Sequence, residues 1–253
     1  NTDFPVVART GTRFEDADET AFAGGGNDQE AAAFILAYKN GNGRLDWSTT
    51  LGPDGDIWHA YGLGVDILDD GTLVWAGRIA SHWPANNTYP LVTPSGAFSR
   101  TTGGGFFVQF NADFQIEWNT FFGNQGAESG VMDVKLGRSG GGNGRKAYLT
   151  GLTSVEVLPT FIGLDVYQAP GSTGFYQPNY GGGMRDAYFA VLDLDAHRLQ
   201  YSTHWGGSGD DYGIALEVLK NPPHGDPYIW VGGLSKSTNL GTTQLPAPPV
   251  GGV

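Results

Sequence analysis

The stretch YSTHWGGSG (201–209) occurs three times in this chain in recognisable form. Its earlier copies are WSTTLGPDG (47–55) and WNTFFGNQG (118–126). All three read aromatic, Ser or Asn, Thr, two variable positions, Gly, two further positions and Gly. A pattern copied at this length indicates one supersecondary unit repeated along the chain, each copy burying its apolar faces against its neighbours. The repeat therefore governs the fold class more strongly than any single motif.

Runs of glycine mark the same repeat. Three consecutive glycines begin at Gly24, Gly103 and Gly181, and a shorter cluster begins at Gly251. The spacing predicts a single array over 1–253, made of a tail from a preceding repeat (1–23), repeat 1 (24–102), repeat 2 (103–180) and repeat 3 (181–253).

Each repeat contains four apolar segments of strand length. The first segment follows the glycine run, the second is the stretch quoted above, and the third and fourth form a hairpin before a Pro-, Thr- and Gly-rich linker. Nearly continuous apolar runs suit strands that are covered on both faces. The first segments are FILAY (34–38), FFVQF (106–110) and YFAVL (188–192), and the hairpins span 63–77, 131–151 and 214–233.

Four short strands per repeat, with aromatic and glycine landmarks, are typical of a β-propeller blade. The sequence thus predicts an all-β chain of four-stranded antiparallel sheets, one per repeat, with the three first segments at equivalent positions. We expect the aromatic residue at the head of the second segment to be largely buried between blades. That residue is Trp47, Trp118 or Tyr201.

Composition excludes several classes of function. The 253 residues are 40% hydrophobic and 13% aromatic, which suffices for a packed core, and the formal net charge of −12 disfavours binding to nucleic acid. The absence of cysteine removes disulfides, thiolate nucleophiles and zinc–thiolate sites. No apolar run approaches the length of a membrane span. The sequence has no nucleophile elbow, P-loop or dinucleotide-binding fingerprint, and no catalytic role is predicted.

Taken together, these segments resemble the bacterial SBBP repeat, a family named for seven-bladed β-propellers. YSTHWGGSGDDYG (201–213), TDFPVV (2–7) and TPSGAF (93–98) are similar to parts of that family's pattern, and the resemblance covers essentially the whole chain. Repeat 2 departs from it, with Ala127-Glu128 in place of the Asp pair, and repeat 1 carries the insertion 57–60. The resemblance implies a non-catalytic module of a secreted or cell-surface bacterial protein, acting as a scaffold, a spacer or an adhesion surface. Its partners would be other domains of the same protein or another protein chain.

Two sets of acidic residues are candidates for a site. Asp210 and Asp211, together with Asp54 and Asp56, could supply oxygen ligands to Ca²⁺. The same side chains could instead cap turns by accepting hydrogen bonds from nearby backbone N–H groups.

The second set lies in the third segment of each repeat and consists of Asp66, Asp133 and Glu217. If that strand faces the propeller axis, these residues would line the central channel and make it anionic. Solvated carboxylates near turns are the other interpretation.

A carbohydrate-binding or carbohydrate-active propeller is the alternative function. Trp58 and Trp83 lie in irregular segments where an indole ring could face solvent and bind surface glycans. Clustering of both rings with a carboxylate pair around one concavity would favour this alternative.

The repeat number also leads to an expectation about the ends. Closed propellers hold about four to eight blades, and three repeats left open would expose two apolar blade faces. We expect the protein to continue in both directions, or another chain to cover those faces, and the piece alone to self-associate.

Overall fold

A computed structural model describes twelve strands and no helix in the described part of the chain. The all-β prediction is confirmed. The described residues are 33–51, 59–80, 91–101, 103–122, 129–138, 144–154, 175, 177, 179–219 and 228–240. The strands are β1 (Ala33–Tyr38), β2 (Leu45–Leu51), β3 (His59–Ile67), β4 (Leu73–Ala80), β5 (Gly105–Phe110), β6 (Ile116–Phe122), β7 (Gly130–Arg138), β8 (Arg145–Thr153), β9 (Asp186–Asp193), β10 (Arg198–Trp205), β11 (Asp211–Val218) and β12 (Ile229–Ser235).

These strands form four antiparallel sheets. Sheet I has the order β3-β4-β5-β6 and sheet II the order β7-β8-β9-β10, so both are simple meanders. Two smaller sheets lie at either end of the described chain: the first half-sheet, β1-β2, and the last half-sheet, β11-β12. The architecture is therefore two four-stranded sheets flanked by two pairs of strands.

The expectation that all four strands of a sheet come from one repeat was wrong. β4 pairs with β5, with Trp75 opposite Val108, and β8 pairs with β9, with Leu149 opposite Ala190. Each four-stranded sheet thus takes its first two strands, the hairpin, from one repeat and its third and fourth strands from the next. The glycine runs that begin at Gly103 and Gly181 lie in connections between strands of one sheet, β4–β5 and β8–β9, rather than between sheets. The expected equivalence of β5 and β9 is confirmed, because each is the third strand of its meander.

The apolar core lies in layers between the sheets. One layer joins the first half-sheet to sheet I, a second joins sheets I and II, and a smaller one joins sheet II to the last half-sheet. Successive residues of β5 serve different layers: Phe106 packs toward the first half-sheet and Phe107 toward sheet II. Such strands are apolar at nearly every position because both of their faces are dry.

The aromatic residues that head the second segment are buried as expected at two places. Trp47 and Trp118 are each 0% exposed, and the Trp118 indole Nε1 donates to the Phe98 carbonyl at 3.0 Å. Tyr201 is only half-buried, which corrects the expectation. Its hydroxyl donates to the Phe175 carbonyl, and a phenol keeps its polar tip near the surface more readily than an indole.

A ring contact repeats along the outer side of the stack. The turn after the first segment contains a residue in the left-handed region, Phe114 (φ 60°) in sheet I and His197 (φ 51°) in sheet II. The Phe114 ring stacks on Trp47 with centroids 4.8 Å apart, and the His197 ring meets Trp118 edge-on at 5.5 Å. Each turn therefore links its own sheet to the preceding one.

The linkers run beside the outermost strands. Asn119 N and Phe121 N of β6 donate to the carbonyls of Val92 and Arg100 at 3.2 and 3.3 Å. His204 N of β10 donates in the same way to the Gln177 carbonyl at 3.1 Å. These bonds satisfy backbone groups that an edge strand would otherwise present to other chains.

Candidate functional site

The third-segment acids lie on the first strand of each sheet: Asp66 on β3, Asp133 on β7 and Glu217 on β11. These three strands follow one another through the stack, since β7 packs on β3 and β11 packs on β7. The placement of the three acids on neighbouring strands agrees with the sequence interpretation. Their alignment within those strands does not.

Strand register separates Asp133 from the other two acids. Asp66 pairs with Val74, three residues before the β4 glycine Gly77. Glu217 likewise pairs with Trp230, three residues before the β12 glycine Gly233. Asp133 pairs with Thr150, only one residue before the β8 glycine, so that Lys135 occupies the place equivalent to Asp66. The three acids therefore do not share one register position, and a cation stands in sheet II where Asp66 and Glu217 stand in the other two sheets. Each first strand carries a single-residue bulge at the same place, at Leu63, Met132 and Ile214, and counting three residues on from it gives Asp66, Lys135 and Glu217.

Asp66 and Asp133 nevertheless bind in the same way. The Asp66 carboxylate accepts from its neighbour Ile67 N at 2.9 Å and from Leu136 N of sheet II at 2.7 Å. Asp133 accepts from Val134 N at 2.8 Å and from Leu216 N of the last half-sheet at 2.8 Å. Each carboxylate therefore joins the first strand of its sheet to the first strand of the next.

The charge of Asp133 is also compensated within its own strand. Lys135 Nζ lies 3.0 Å from Asp133 Oδ1, and the two side chains are 25% and 16% exposed. A carboxylate bound to two backbone N–H groups and one ammonium has most of its acceptor sites filled. The geometry favours a structural role for these acids.

The acidic pair after YSTHWGGSG holds three segments together. Asp210 accepts from Met184 N at 2.7 Å, and its other oxygen lies 3.1 Å from Lys236 Nζ. Asp211 Oδ2 accepts from Gly207 N at 2.8 Å and from Ser237 Oγ at 2.6 Å. The hydrogen bond from Met184 N, followed by the one from Lys236, lowers the pKa of Asp210 below its ordinary value. These contacts match the turn-capping interpretation.

The calcium site stays a prediction. Asp54 and Asp56 lie outside the described residues. Within the described part of the chain, no group of three or more His, Asp or Glu side chains is arranged to hold a metal ion. Asp211 Oδ1 is buried with no hydrogen-bond partner among the described residues.

Sequence reasoning missed three polar residues at the start of repeat 3 and just before it: the partly buried Tyr180 and the buried Asp186 and His204. Asp186 is fully buried, and its Oδ2 accepts from Gly181 N at 2.6 Å. Its Oδ1 and both ring nitrogens of His204 have no hydrogen-bond partner among the described residues. The Tyr180 ring lies edge-on to His204 with centroids 6.2 Å apart.

Burial shifts the protonation of all three groups. It raises the pKa of Asp186 to about 6, with the nearby Asp211 charge adding to the effect. It lowers the pKa of His204 to about 4 and, together with the neighbouring carboxylates, raises that of Tyr180 to about 12. Both the carboxyl and the imidazole are therefore pushed toward their neutral forms. The repeat comparison carried the signal for Asp186, since the equivalent place in repeat 2 is Gly104.

Neither tryptophan of the carbohydrate interpretation can be placed, because Trp58 and Trp83 lie outside the described residues. The described exposed indoles are Trp230, which is 54% exposed, and Trp205, which is 40% exposed. Trp230 lies beside Tyr228 with ring centroids 6.2 Å apart. The carbohydrate alternative stays a prediction.

Both ends of the stack expose positions that are buried within it. On β3, Val65 is 54% exposed, whereas its register equivalents Val134 on β7 and Leu216 on β11 are 0% and 3% exposed. On β12, Trp230 stands at the place of the buried Tyr148 of β8. Each end of the stack thus exposes large apolar side chains to solvent.

Comparisons with models of protein families and with curated proteins found no match to this chain. No helix among the described residues is long and apolar enough to cross a membrane.

Proposed function

We propose that the chain is built from β-propeller blades and forms a non-catalytic module of a secreted or cell-surface bacterial protein. In that protein it acts as a scaffold, a spacer or an adhesion surface. Sheets I and II are the blades, each a four-stranded meander stacked face to face on its neighbour. The first strands β3, β7 and β11 lie side by side and would surround the propeller axis. The resemblance of the repeats to the SBBP pattern supports the same architecture and compartment.

The proposed role rests on what the recurrent acidic residues bind, which is backbone N–H groups. Asp66 and Asp133 link adjacent sheets, and Asp210 and Asp211 bind the backbone of a turn and its surroundings. A hydrolase of the carboxylate type needs two acids facing one substrate position across an open cleft. Acids whose oxygens accept backbone N–H groups instead fix the geometry of the stack, as a scaffold requires.

Surface exposure of the natural protein tests this proposal. Antibodies raised against the 253-residue chain should label intact cells of the bacterium that encodes it, while antibodies to a cytosolic enzyme label only lysed cells. The purified chain should not hydrolyse a panel of chromogenic glycosides. Labelling only after lysis would contradict the compartment. Turnover that is lost in a carboxylate variant which still folds would contradict the non-catalytic role.

A further inference from the structure

The last half-sheet ends on a strand with an open edge. β12 pairs with β11 along one edge, whereas its counterparts β4 and β8 each pair with a further strand along the other edge. No strand among the described residues occupies that place beside β12. Every residue of β12 after Ile229 is exposed. An open edge of this kind is a template for the addition of another strand.

The counterparts of β12 show which kind of strand fits. Gly77 of β4 pairs with Phe106 of β5, and Gly151 of β8 pairs with Tyr188 of β9. In both pairs the aromatic ring lies against the glycine. A Cβ atom would come within 2.7 Å of the Phe106 ring at Gly77 and within 2.8 Å of the Tyr188 ring at Gly151. A small residue opposite a large ring therefore sets the register of this junction.

β12 has the glycine of this junction without the ring. Gly233 is the equivalent of Gly77 and Gly151, and the atoms nearest to a Cβ built there are backbone atoms of Tyr212 and Gly213. The adjacent Gly232 has nothing within 4 Å of such a Cβ atom. A strand that completes this sheet in the manner of the other two junctions would place an aromatic side chain opposite Gly233.

The chain contains such a strand in β1. Phe34 pairs with Thr50, as Phe106 pairs with Phe121, so Phe34 is the register equivalent of the ring that covers Gly77. Phe34 is 54% exposed, whereas Phe106 is 1% exposed. β1 and β2 also pair in the register of β5 and β6, including the shift before the last pair.

We propose that the first half-sheet of a second copy of this chain pairs with β12, so that the last half-sheet of one copy and the first half-sheet of the other form one four-stranded sheet. The register places Phe34 opposite Gly233 and Leu36 opposite Val231. The junction repeats the β4–β5 and β8–β9 junctions between chains instead of within one. This pairing follows from strand register and does not depend on the proposed role at the cell surface.

The same association covers the apolar faces at both ends. Trp230 would pack against the first strand of the second copy's sheet I, where Val65 and Ile67 are each 54% exposed. The described part of each copy holds two complete sheets and two half-sheets. A head-to-tail pair that closes on itself would therefore have about six blades, within the usual range for propellers. A closed ring leaves no open edge and so stops the association at two copies.

Cysteine trapping tests the pairing directly, because the chain has no native cysteine. Val231→Cys and Leu36→Cys are made as separate single variants and mixed with a short bifunctional thiol reagent. The mixture should give a cross-linked heterodimer with the linkage mapped to these two positions, since directly opposed residues of paired strands have Cβ atoms about 5 Å apart. Val231→Cys mixed with Asp113→Cys, an exposed turn position, is the matched control and should give none.

Sedimentation with intact chains supplies an independent measurement. The unmodified chain of 26.9 kDa should sediment as a dimer that dissociates on dilution, and higher salt should strengthen the dimer because two copies of net charge −12 repel. Trp230→Glu should give a monomer with an unchanged circular dichroism spectrum. A cross-link that forms equally well with the Asp113 control, or a chain that is monomeric at every concentration, would overturn the proposal and leave the β12 edge to some other partner.

Discussion

At the scale of single residues, the same side-chain types that suggest chemistry serve here to hold the stack together. Asp66 and Asp133 accept backbone N–H groups from the following sheet, and His197 packs its ring on Trp118 of the preceding one. Repeat proteins depend on such contacts between neighbours, because no unit buries its own faces. An acidic residue that recurs in a repeat is therefore first a candidate for a contact between neighbouring sheets.

Replacing Asp133 should weaken the stack in a measurable way. Asp133→Ala leaves the buried Leu216 N–H without its acceptor and removes the partner of Lys135. The free energy of unfolding should fall by about 1.5–3 kcal/mol, the usual range for hydrogen bonds to a charged group. Urea denaturation monitored by circular dichroism measures the change.

Glu217→Ala is the matched control for Asp133→Ala. Glu217 is exposed and occupies the same strand position as Asp66, but at the end of the stack. Its removal should change stability by no more than about 0.5 kcal/mol. Equal losses in the two variants would mean that the inter-sheet bond to Leu216 contributes nothing.

The two buried residues Asp186 and His204 each predict a dependence of stability on pH. The pKa of Asp186 rises from 3.8 to about 6 on folding, so its contribution to stability is full below pH 3.8 and is lost as the pH rises toward 6. The pKa of His204 falls from 6.5 to about 4, so its contribution is full above pH 6.5 and is lost as the pH falls toward 4. The two slopes oppose each other between about pH 4 and 6.

Asp186→Asn should therefore expose the slope that belongs to His204. The variant should lose stability more steeply than the wild-type chain on acidification from pH 6.5 to 4, and His204→Phe should lose it less steeply. Urea midpoints measured across this range for the three proteins give the comparison. Parallel curves would show that the buried groups do not titrate as their surroundings imply.

At the scale of strands and hairpins, one close backbone approach recurs three times. The residue two positions before the bulge of each first strand turns its carbonyl oxygen toward a glycine of the second strand: Tyr61 toward Gly77, Gly130 toward Gly151 and Tyr212 toward Gly233. A methyl group at those glycines would overlap the oxygen. The glycine is thus required by the bulge and not by a positive φ.

Adjacent glycines of β12 should respond in opposite directions to the same substitution. Gly233→Ala forces the hairpin apart at the Tyr212 carbonyl and should cost about 1–3 kcal/mol, as overpacking does. Gly232→Ala meets nothing within 4 Å and should be neutral or stabilise by up to about 1 kcal/mol. Melting temperatures of the two variants, measured at a concentration where the chain is monomeric, decide the matter. A stable Gly233→Ala variant would contradict the bulge geometry.

The strands themselves could be predicted from sequence, but their partition into sheets could not. Continuous apolar runs such as FFVQF (106–110) identify β5 because both faces of that strand are buried. Nothing in a repeated sequence fixes where one structural unit ends, because the period is the same wherever counting begins. The pairing of β4 with β5 decides the boundary, and that contact joins residues of different repeats.

The candidate site, too, could be predicted from the sequence only in part. The place of Asp210 and Asp211 after a Gly-x-x-Gly turn allowed two interpretations, calcium ligation and turn capping, and the bonds from Met184 N and Gly207 N fit the second. The partners of Asp66 and Asp133 lie in the next sheet, some 70 and 83 residues further along the chain. Only the stacking of sheets brings such distant residues together.

At the scale of the whole molecule, neighbouring repeats share each four-stranded sheet, because β4 pairs with β5 and β8 pairs with β9. Successive amides of a strand point to opposite neighbours, so a strand paired on both sides has every amide protected and a strand paired on one side only alternate ones.

Native-state hydrogen exchange of the assigned amides, followed by NMR, measures this directly. Sheets shared between repeats predict unbroken protection along Phe107–Phe110 of β5 and along the equivalent part of β9, with opening energies close to that of global unfolding. Protection of alternate amides only in these two strands would show that each repeat folds as its own sheet, and would contradict the shared sheets.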